Sequence, residues 1–108
     1  MLRITVYKQA SPIFFNVPEA REYLEKNGHV YTLRRKRKKG EGITMAREGT
    51  PFNFRELFQV DVRWIKDIEE CSEEELGEYV SESGFKSVNE WCSRRGPGAN
   101  SLYLVSKT

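Results

Sequence analysis

Six consecutive basic side chains, RRKRKK at residues 34–39, form the clearest chemical signal in the sequence. Gly40 and Gly42 follow, and glycine lets a chain turn and approach a ligand closely. Each Lys or Arg that neutralises a phosphate releases counterions, so such a run gives affinity for nucleic acid without reading its sequence. The alternative is a solvated turn whose charge is offset by the acidic residues between positions 67 and 82. Both interpretations remain open from the charge pattern alone.

Aromatic side chains lie on the segments that flank this basic run. Phe52 and Phe54 fall in a stretch without periodicity, where they either cover the core or stack on a base, as aromatic residues do in proteins that bind single strands. Trp64 alternates with Val60 and Val62, which predicts that it lies in the core. The candidate nucleic-acid-binding residues are therefore Phe52 and Phe54 for stacking, and Arg34, Arg35, Lys36, Arg37, Lys38, Lys39, Arg47 and Arg55 for phosphates.

The two cysteines and the single histidine bear on metal binding and on location. Cys71 and Cys92 are far apart in sequence and show no CxxC spacing, and only His29 could complete a metal site with them. We therefore expect two partly buried, reduced thiols, no metal, no cofactor and a cytoplasmic location. The N-terminus alternates apolar and polar residues and shows no signal peptide.

The overall charge hides an asymmetry between the two halves of the chain. The 108 residues include 18 Lys and Arg against 16 Asp and Glu, for a net charge of +2. Residues 1–50 carry eleven basic and five acidic side chains, whereas residues 51–108 carry seven and eleven. No apolar run approaches the roughly 20 residues that cross a bilayer, so we expect no membrane partner. Length and composition predict a single domain over residues 1–108.

The residue patterns predict strands and short helices around the basic run. Alternation predicts strands at residues 2–7, 30–35, 43–46, 58–65 and 101–107, with an irregular connection over 47–56. Asn16 is predicted to cap a first helix that stops near Gly28, and capping boxes at Ser72 and Ser87 begin two more. The acidic helix after Ser72 is expected to end at Gly84. This order predicts an α+β fold: a small mixed, largely antiparallel β-barrel or half-barrel with short flanking helices.

The stretch NGHVYTLRRKRKKGEG resembles the region that defines ASCH domains, which belong to the PUA-like superfamily and carry the pattern GxKxxExR. The order downstream is also similar, with FQVDVRWIKDI, an acidic helix, SGFKSVNEW and a final strand LYLVSK. Arg34 matches the final Arg of the pattern, whereas Thr32 stands where the family usually has Glu and His29 where it has Lys. The resemblance implies a PUA-like barrel whose cleft faces a nucleic acid or nucleoside, often RNA.

One ASCH branch implies an enzymatic alternative, because it hydrolyses acetylated cytidine with Thr, Lys and Glu. Thr32 matches the position of that Thr, and Glu82 lies close to where the Glu would fall. A Thr hydroxyl needs an adjacent base, and His29 could supply one in place of the missing Lys. Ordinary structural roles for all three residues remain the alternative.

Three hypotheses follow from the sequence. The first is a domain that binds RNA or another nucleic acid, with a single strand as the expected partner. The second is a small amidohydrolase that acts on a modified nucleoside through Thr32, His29 and Glu82. The third is a protein-interaction module whose basic and acidic segments pair between chains. The oligomeric state stays open.

Overall fold

The structure is a computed structural model that describes residues 9–108, so the strand predicted at residues 2–7 lies outside the described residues. The fold is the predicted α+β class, with a mixed, mostly antiparallel five-stranded sheet that curls into a half-barrel, flanked by three short helices. The elements follow in the order β1 (Ile13–Phe14), α1 (Pro18–Asn27), β2 (His29–Arg34), β3 (Gly42–Thr50), β4 (Asn53–Asp67), α2 (Glu73–Leu76), a 3₁₀ turn (Val80–Glu82), α3 (Val88–Arg94) and β5 (Ser101–Lys107).

The strand order in the sheet is β1-β3-β4-β5-β2. The short strand β1 runs parallel to β3, and the other neighbouring pairs are antiparallel. Strands β2 and β3 are consecutive in sequence but are not neighbours in the sheet. The basic run therefore connects two separated strands and does not form the tip of a hairpin.

Apolar side chains pack against both faces of the sheet. Val30 of β2 and Val105 of β5 pack with Leu24 of α1 in a first apolar cluster on one face of the sheet. Residues that point to the opposite face of β2 and β5 belong to a second apolar cluster. The second cluster contains Leu33 and Leu102 together with Leu76, Val88 and Trp91 from the helices. Because successive strand residues point to opposite faces, β5 is buried almost continuously, as expected for a strand covered on both sides.

Residues 47–56 form a long hairpin, so the predicted irregular connection is wrong. Strand β3 continues to Thr50 and β4 begins at Asn53, with Pro51 and Phe52 at the tip. The Thr50 hydroxyl accepts a hydrogen bond from the Asn53 backbone N–H at 3.1 Å. Pairing between side chains on β3 and β4 stabilises the strands over residues 47–56. The sequence there has no clear alternation of apolar and polar residues, so this pairing could not be recognised from it.

Trp64 is 39% exposed, which contradicts its predicted place in the core. Trp64 still pairs in register with Tyr103 and keeps the face of Val60 and Val62, but it lies beyond their buried cluster, and the register shift that follows it ends the regular pairing with β5. The Trp64 indole N–H donates to Asp67 Oδ1 at 3.0 Å. A bulge of this kind cannot be recognised from alternation alone.

The predicted serine caps of the two capping boxes are confirmed, but the acidic helix is shorter than expected. The hydroxyls of Ser72 and Ser87 accept hydrogen bonds from the backbone N–H groups of Glu75 and Glu90. The helix after Ser72 ends at Leu76, well before Gly84, and the chain continues through a 3₁₀ turn. Within residues 9–108, no helix is long and apolar enough to cross a membrane.

Cys71 and Cys92 form a disulfide, so the expectation of two reduced thiols is wrong. Their Cα atoms lie 6.1 Å apart, and the bond joins the segment after β4 to helix α3. The spacing of Cys71 and Cys92 in the sequence did not indicate a disulfide, because the packing of α3 brings the two cysteines close together. The bond also removes the cysteine argument for a reducing compartment.

The disulfide is expected to contribute to stability by restricting the unfolded chain. The double substitution Cys71→Ala and Cys92→Ala should lower the free energy of unfolding by roughly 3 kcal/mol, given a sequence separation of 21 residues. Urea unfolding followed by tryptophan fluorescence, with and without a thiol reductant, measures this effect. The double variant is the control, because its unfolding should not respond to the reductant. Equal midpoints for the oxidised and reduced wild type would contradict the prediction.

Candidate functional site

A pocket of about 170 Å³ opens where β1, β2 and the C-terminal end of α3 come together. Its walls include the aromatic side chains of Phe14, Phe15, Phe85 and Trp91. Three arginines, Arg34, Arg94 and Arg95, also line it, whereas no Asp or Glu of the described chain does. The pocket therefore combines apolar walls with an excess of positive charge.

Arg34 connects the two edge strands of the half-barrel at the base of this pocket. Its Nη1 donates to the backbone carbonyl of Phe14 on β1 at 2.5 Å, and its Nε donates to Thr32 Oγ1 on β2 at 3.1 Å. The guanidinium carbon lies 4.7 Å from the centre of the Phe15 ring. These contacts fix the plane of the guanidinium, which is the orientation that matters for paired hydrogen bonds to an anion.

The partners of Arg34 within residues 9–108 are all neutral. Burial, and to a smaller extent the nearby charge of Arg37, lowers the pKa of Arg34 to about 10. Because this value is well above 7, the side chain is charged at neutral pH. Arg34 is half-buried, so its charge has lost part of its contact with water. No acidic side chain of residues 9–108 compensates for that loss. An anion in the pocket would supply that counter-charge.

Helix α3 brings the other two arginines to the pocket. The Ser87 cap begins the helix, and Trp91 anchors it in the second apolar cluster. Arg94 Nη1 forms an ion pair with Glu19, and Arg95 Nη1 donates to the Asn100 side chain. Each arginine is thus oriented by one terminal nitrogen of its guanidinium.

Asn16 links the pocket to the long hairpin instead of capping α1 as predicted. Its side-chain Oδ1 accepts from the Gly49 N–H at 2.7 Å, and its Nδ2 donates to the Gly49 carbonyl at 2.9 Å. The N-cap of α1 is Val17, without a side-chain cap, and Pro18 starts the helix. Gly49 has φ = +121° and a side chain there would meet the Asn53 carbonyl, so only glycine suits this position.

An aromatic series continues from the pocket along the hairpin. Phe14, which lines the pocket, packs edge-on against Phe54 with ring centres 6.3 Å apart. Arg47 lies over the other ring, with its guanidinium carbon 3.9 Å from the centre of Phe54. Phe52 follows at the tip and is 99% exposed. Of the two predicted stacking residues, Phe54 therefore lies against the pocket-lining Phe14, and Phe52 is exposed at the tip of the hairpin.

The two arginines predicted to extend the surface are paired with acids on the hairpin. Arg47 contacts Glu56 at 3.2 Å, and Arg55 contacts Glu48 at 2.6 Å. Both pairs are exposed enough for solvent to weaken them, so they contribute little to stability.

The six cations of the basic run have different surroundings. Arg34 lines the pocket, whereas Arg35 donates to the Pro97 carbonyl and Arg37 donates to the carbonyls of Ser11 and Pro12. Lys36 Nζ lies 3.8 Å from the centre of the Trp64 ring. Lys38 and Lys39 are exposed in the turn, and no side-chain hydrogen bond or ion pair holds them within the described part of the chain. The run therefore supplies one pocket residue and two freely exposed lysines.

The structure brings His29 and Glu82 together but separates them from Thr32. His29 Nε2 lies 2.7 Å from Glu82 Oε1, with the Tyr23 ring edge-on to the imidazole. Thr32 is three residues from His29 on β2 and therefore faces the opposite side of the sheet, where its hydroxyl accepts from Arg34. The hydrolase hypothesis stays a prediction, which acetylcytidine turnover by the wild type and by Thr32→Ala would test.

Sequence reasoning missed most of the pocket walls. Phe14, Phe15 and Trp91 carry no sequence signal for ligand binding, and Asn16 is predicted only as a helix cap. The pair Arg94 and Arg95 had a usable signal, because two adjacent arginines precede the turn residues GPG. Among residues 9–108, no group of His, Cys, Asp and Glu is arranged to hold a metal ion.

Comparisons with known proteins found no match: no family model, no curated protein and no solved structure is similar enough to this chain to be accepted.

Asp67, beside the basic run, should give stability a measurable pH dependence. Hydrogen bonds from the Ser101 hydroxyl and the Trp64 indole, with the charge of Lys36, lower the pKa of this carboxyl. A carboxyl with a depressed folded-state pKa stabilises the fold above its unfolded pKa of about 3.9, and this contribution is lost as pH falls through the folded value.

Asp67→Asn should therefore be less stable than the wild type at pH 7, and the difference should shrink from about pH 5 downward. Urea unfolding midpoints across this range measure the effect. Ser101→Ala is the companion variant, since it keeps the carboxylate and removes its strongest hydrogen bond. Parallel pH profiles for the wild type and Asp67→Asn would contradict the prediction.

Proposed function

We propose that this domain binds single-stranded nucleic acid, with RNA as the expected ligand, and that one nucleotide of the strand occupies the pocket beside Arg34. The observation that carries the proposal is the lining of the pocket: aromatic walls and three arginines without any acidic residue. Cations orient phosphates, and aromatic faces stack on bases without distinguishing among them.

The size of the pocket favours a polymer over a free small molecule. Its volume of about 170 Å³ is below the roughly 300–1,000 Å³ of pockets that enclose drug-sized ligands. A larger ligand would therefore place one group inside and extend over the neighbouring surface. The surface beside Phe14 offers the half-exposed ring of Phe54, and Phe52 is exposed two residues earlier at the hairpin tip, so both rings are candidates for stacking on bases.

Exposed lysines that follow Arg34 in the chain would add a long-range attraction for phosphates. Lys38 and Lys39 lie in the turn that follows Arg34, and their ammonium groups are available to a ligand. They would contribute affinity that depends strongly on salt and little on sequence. Arg34, held by neutral partners, would supply the contact that orients the nucleotide.

The resemblance to ASCH domains supports this proposal through one residue. Arg34 is the position that matches the final Arg of the family pattern, and it is also the pocket residue with the most defined geometry. We propose membership of the PUA-like superfamily on this basis and on the half-barrel. A cytoplasmic location now rests on the proposed RNA ligand alone, because the disulfide removes the cysteine argument.

The interaction-module hypothesis has less support, because charged segments already pair within the chain. Arg47 with Glu56, Arg55 with Glu48 and Lys36 with Asp67 are all intramolecular. These contacts reduce the charge that the hairpin and the basic run could offer to a second copy.

Salt titration of RNA binding tests the proposal. A fluorescein-labelled single-stranded RNA should bind at low salt, and each lysine that contacts a phosphate should contribute about 0.7 to the slope of log affinity against log salt. The double variant Lys38→Gln and Lys39→Gln should therefore bind more weakly, with a slope reduced by about 1.4. Fluorescence anisotropy measures both quantities.

Lys26→Gln is the matched control, because it removes one positive charge from the C-terminal turn of α1, which carries no pocket arginine. It should leave affinity and slope close to those of the wild type. Absence of RNA binding at low salt would contradict the proposal. So would a double variant that binds as the wild type does.

A further inference from the structure

We propose that the pocket selects the phosphorylated end of a strand, a terminal phosphate monoester, over an internal phosphodiester. This inference rests on the proposed function and adds the part of the nucleic acid that the pocket recognises. Three features of the pocket carry it: the number of its positive charges, the nitrogens it leaves available, and its size.

The first feature is charge. Arg34, Arg94 and Arg95 line the pocket, and within residues 9–108 only Arg94 of the three has an acidic partner, Glu19. An internal phosphodiester has one negative charge, whereas a terminal monoester has between one and two near neutral pH, because its second pKa is about 6. The pocket therefore has more positive charge than a diester would balance, and the monoester matches it better.

The second feature is the set of donors that remain available. The hydrogen bonds within residues 9–108 engage Nη1 of all three arginines, together with Nε of Arg34. None of these bonds engages Nη2, so each guanidinium keeps a terminal nitrogen for a ligand. A monoester has three terminal oxygens and can accept from several donors at once, whereas an internal diester has two unbridged oxygens.

The third feature is the room in the pocket, compared with the room that a terminal or an internal phosphate needs. Walls come from residues 14–17, from β2 at residues 32–34, and from the end of α3 with Gly96. A volume of about 170 Å³ within these walls suits one end group. An internal phosphate needs room for a nucleotide on both sides, whereas a terminal phosphate needs room on one side only, which Phe14 and the adjoining Phe54 ring can provide.

Preorganisation separates Arg34 from the lysines of the same run. Thr32, the Phe14 carbonyl and the Phe15 ring hold its guanidinium in place, so little conformational entropy is lost when an anion binds. Lys38 and Lys39 have no such contacts in the described structure. End selection should therefore depend on the pocket arginines, and general affinity on the lysines.

The experiment compares three single-stranded RNAs of one sequence, with a 5′-phosphate, with a 3′-phosphate, or with hydroxyls at both ends. At pH 7.5 one phosphorylated end should bind about tenfold more tightly than the hydroxyl ends, the gain expected from one added charged hydrogen bond. At pH 5.5 this preference should shrink, because the monoester gains a proton.

Arg95→Gln should reduce the preference, and it is the main test variant because Arg95 is exposed and its loss leaves the contacts between β1 and β2 intact. Arg34→Lys is the second variant, used after circular dichroism shows that it folds. The Lys38→Gln and Lys39→Gln double variant is the control, which should bind all three RNAs more weakly but keep the preference.

Equal, salt-dependent binding of all three RNAs would overturn the end-selection proposal and leave the proposed function in place. No binding of any RNA would overturn both. A nucleoside monophosphate that binds as tightly as the phosphorylated RNA would also overturn end selection, because the site would then serve a free mononucleotide. Inorganic phosphate at the same concentration completes the series and should compete weakly, since it lacks the base that stacks beyond the pocket.

Discussion

The hydrogen bond from Arg34 to the Phe14 carbonyl is the contact on which the rest of the structure depends. Strands β1 and β2 lie at opposite ends of the sheet order, and the Arg34 side chain connects them directly. Arg37 extends the connection through the carbonyls of Ser11 and Pro12. Within residues 9–108, β1 and β2 do not pair as strands, and guanidinium groups of the basic run connect them, together with the backbone hydrogen bond from Ser11 to Lys39. Because Arg34 also lines the pocket, the residue that closes the fold is the residue that faces a ligand.

The other walls of the pocket are held by contacts that are equally long-range. Asn16 binds both backbone groups of Gly49 and fixes the hairpin beside the pocket. The disulfide between Cys71 and Cys92 ties α3 to the segment after β4, and α3 contributes Trp91 and two arginines. Each wall therefore comes from a different part of the chain. This arrangement explains how a small domain can present three cations in one pocket. Neutral hydrogen bonds hold Arg34 and Arg95, and an ion pair with Glu19 holds Arg94, where their mutual repulsion would otherwise separate them.

The sequence predicted the features that depend on local interactions. The serine caps at Ser72 and Ser87 act within one helical turn, and strand β5 follows from residue type and alternation. The hairpin over residues 47–56 and the bulge after Trp64 depend on pairing between strands, which alternation does not encode. In the site, Arg34 could be selected from the basic run and its family pattern. Arg94 and Arg95 had only the signal of two adjacent arginines before a turn, and the cysteine pair had none, because the packing of α3 brings these residues to their partners.

The central claim is that ligand enters the pocket beside Arg34, and NMR of side-chain N–H groups tests it most directly. Addition of a short single-stranded RNA to ¹⁵N-labelled protein should shift the Arg34 Nε–H signal and slow the exchange of its guanidinium protons, because new hydrogen bonds form there. The Trp64 indole N–H, which donates to Asp67 outside the pocket, serves as the internal reference and should change little. Shifts confined to Trp64 and the exposed lysines, with Arg34 unchanged at saturating RNA, would contradict the claim.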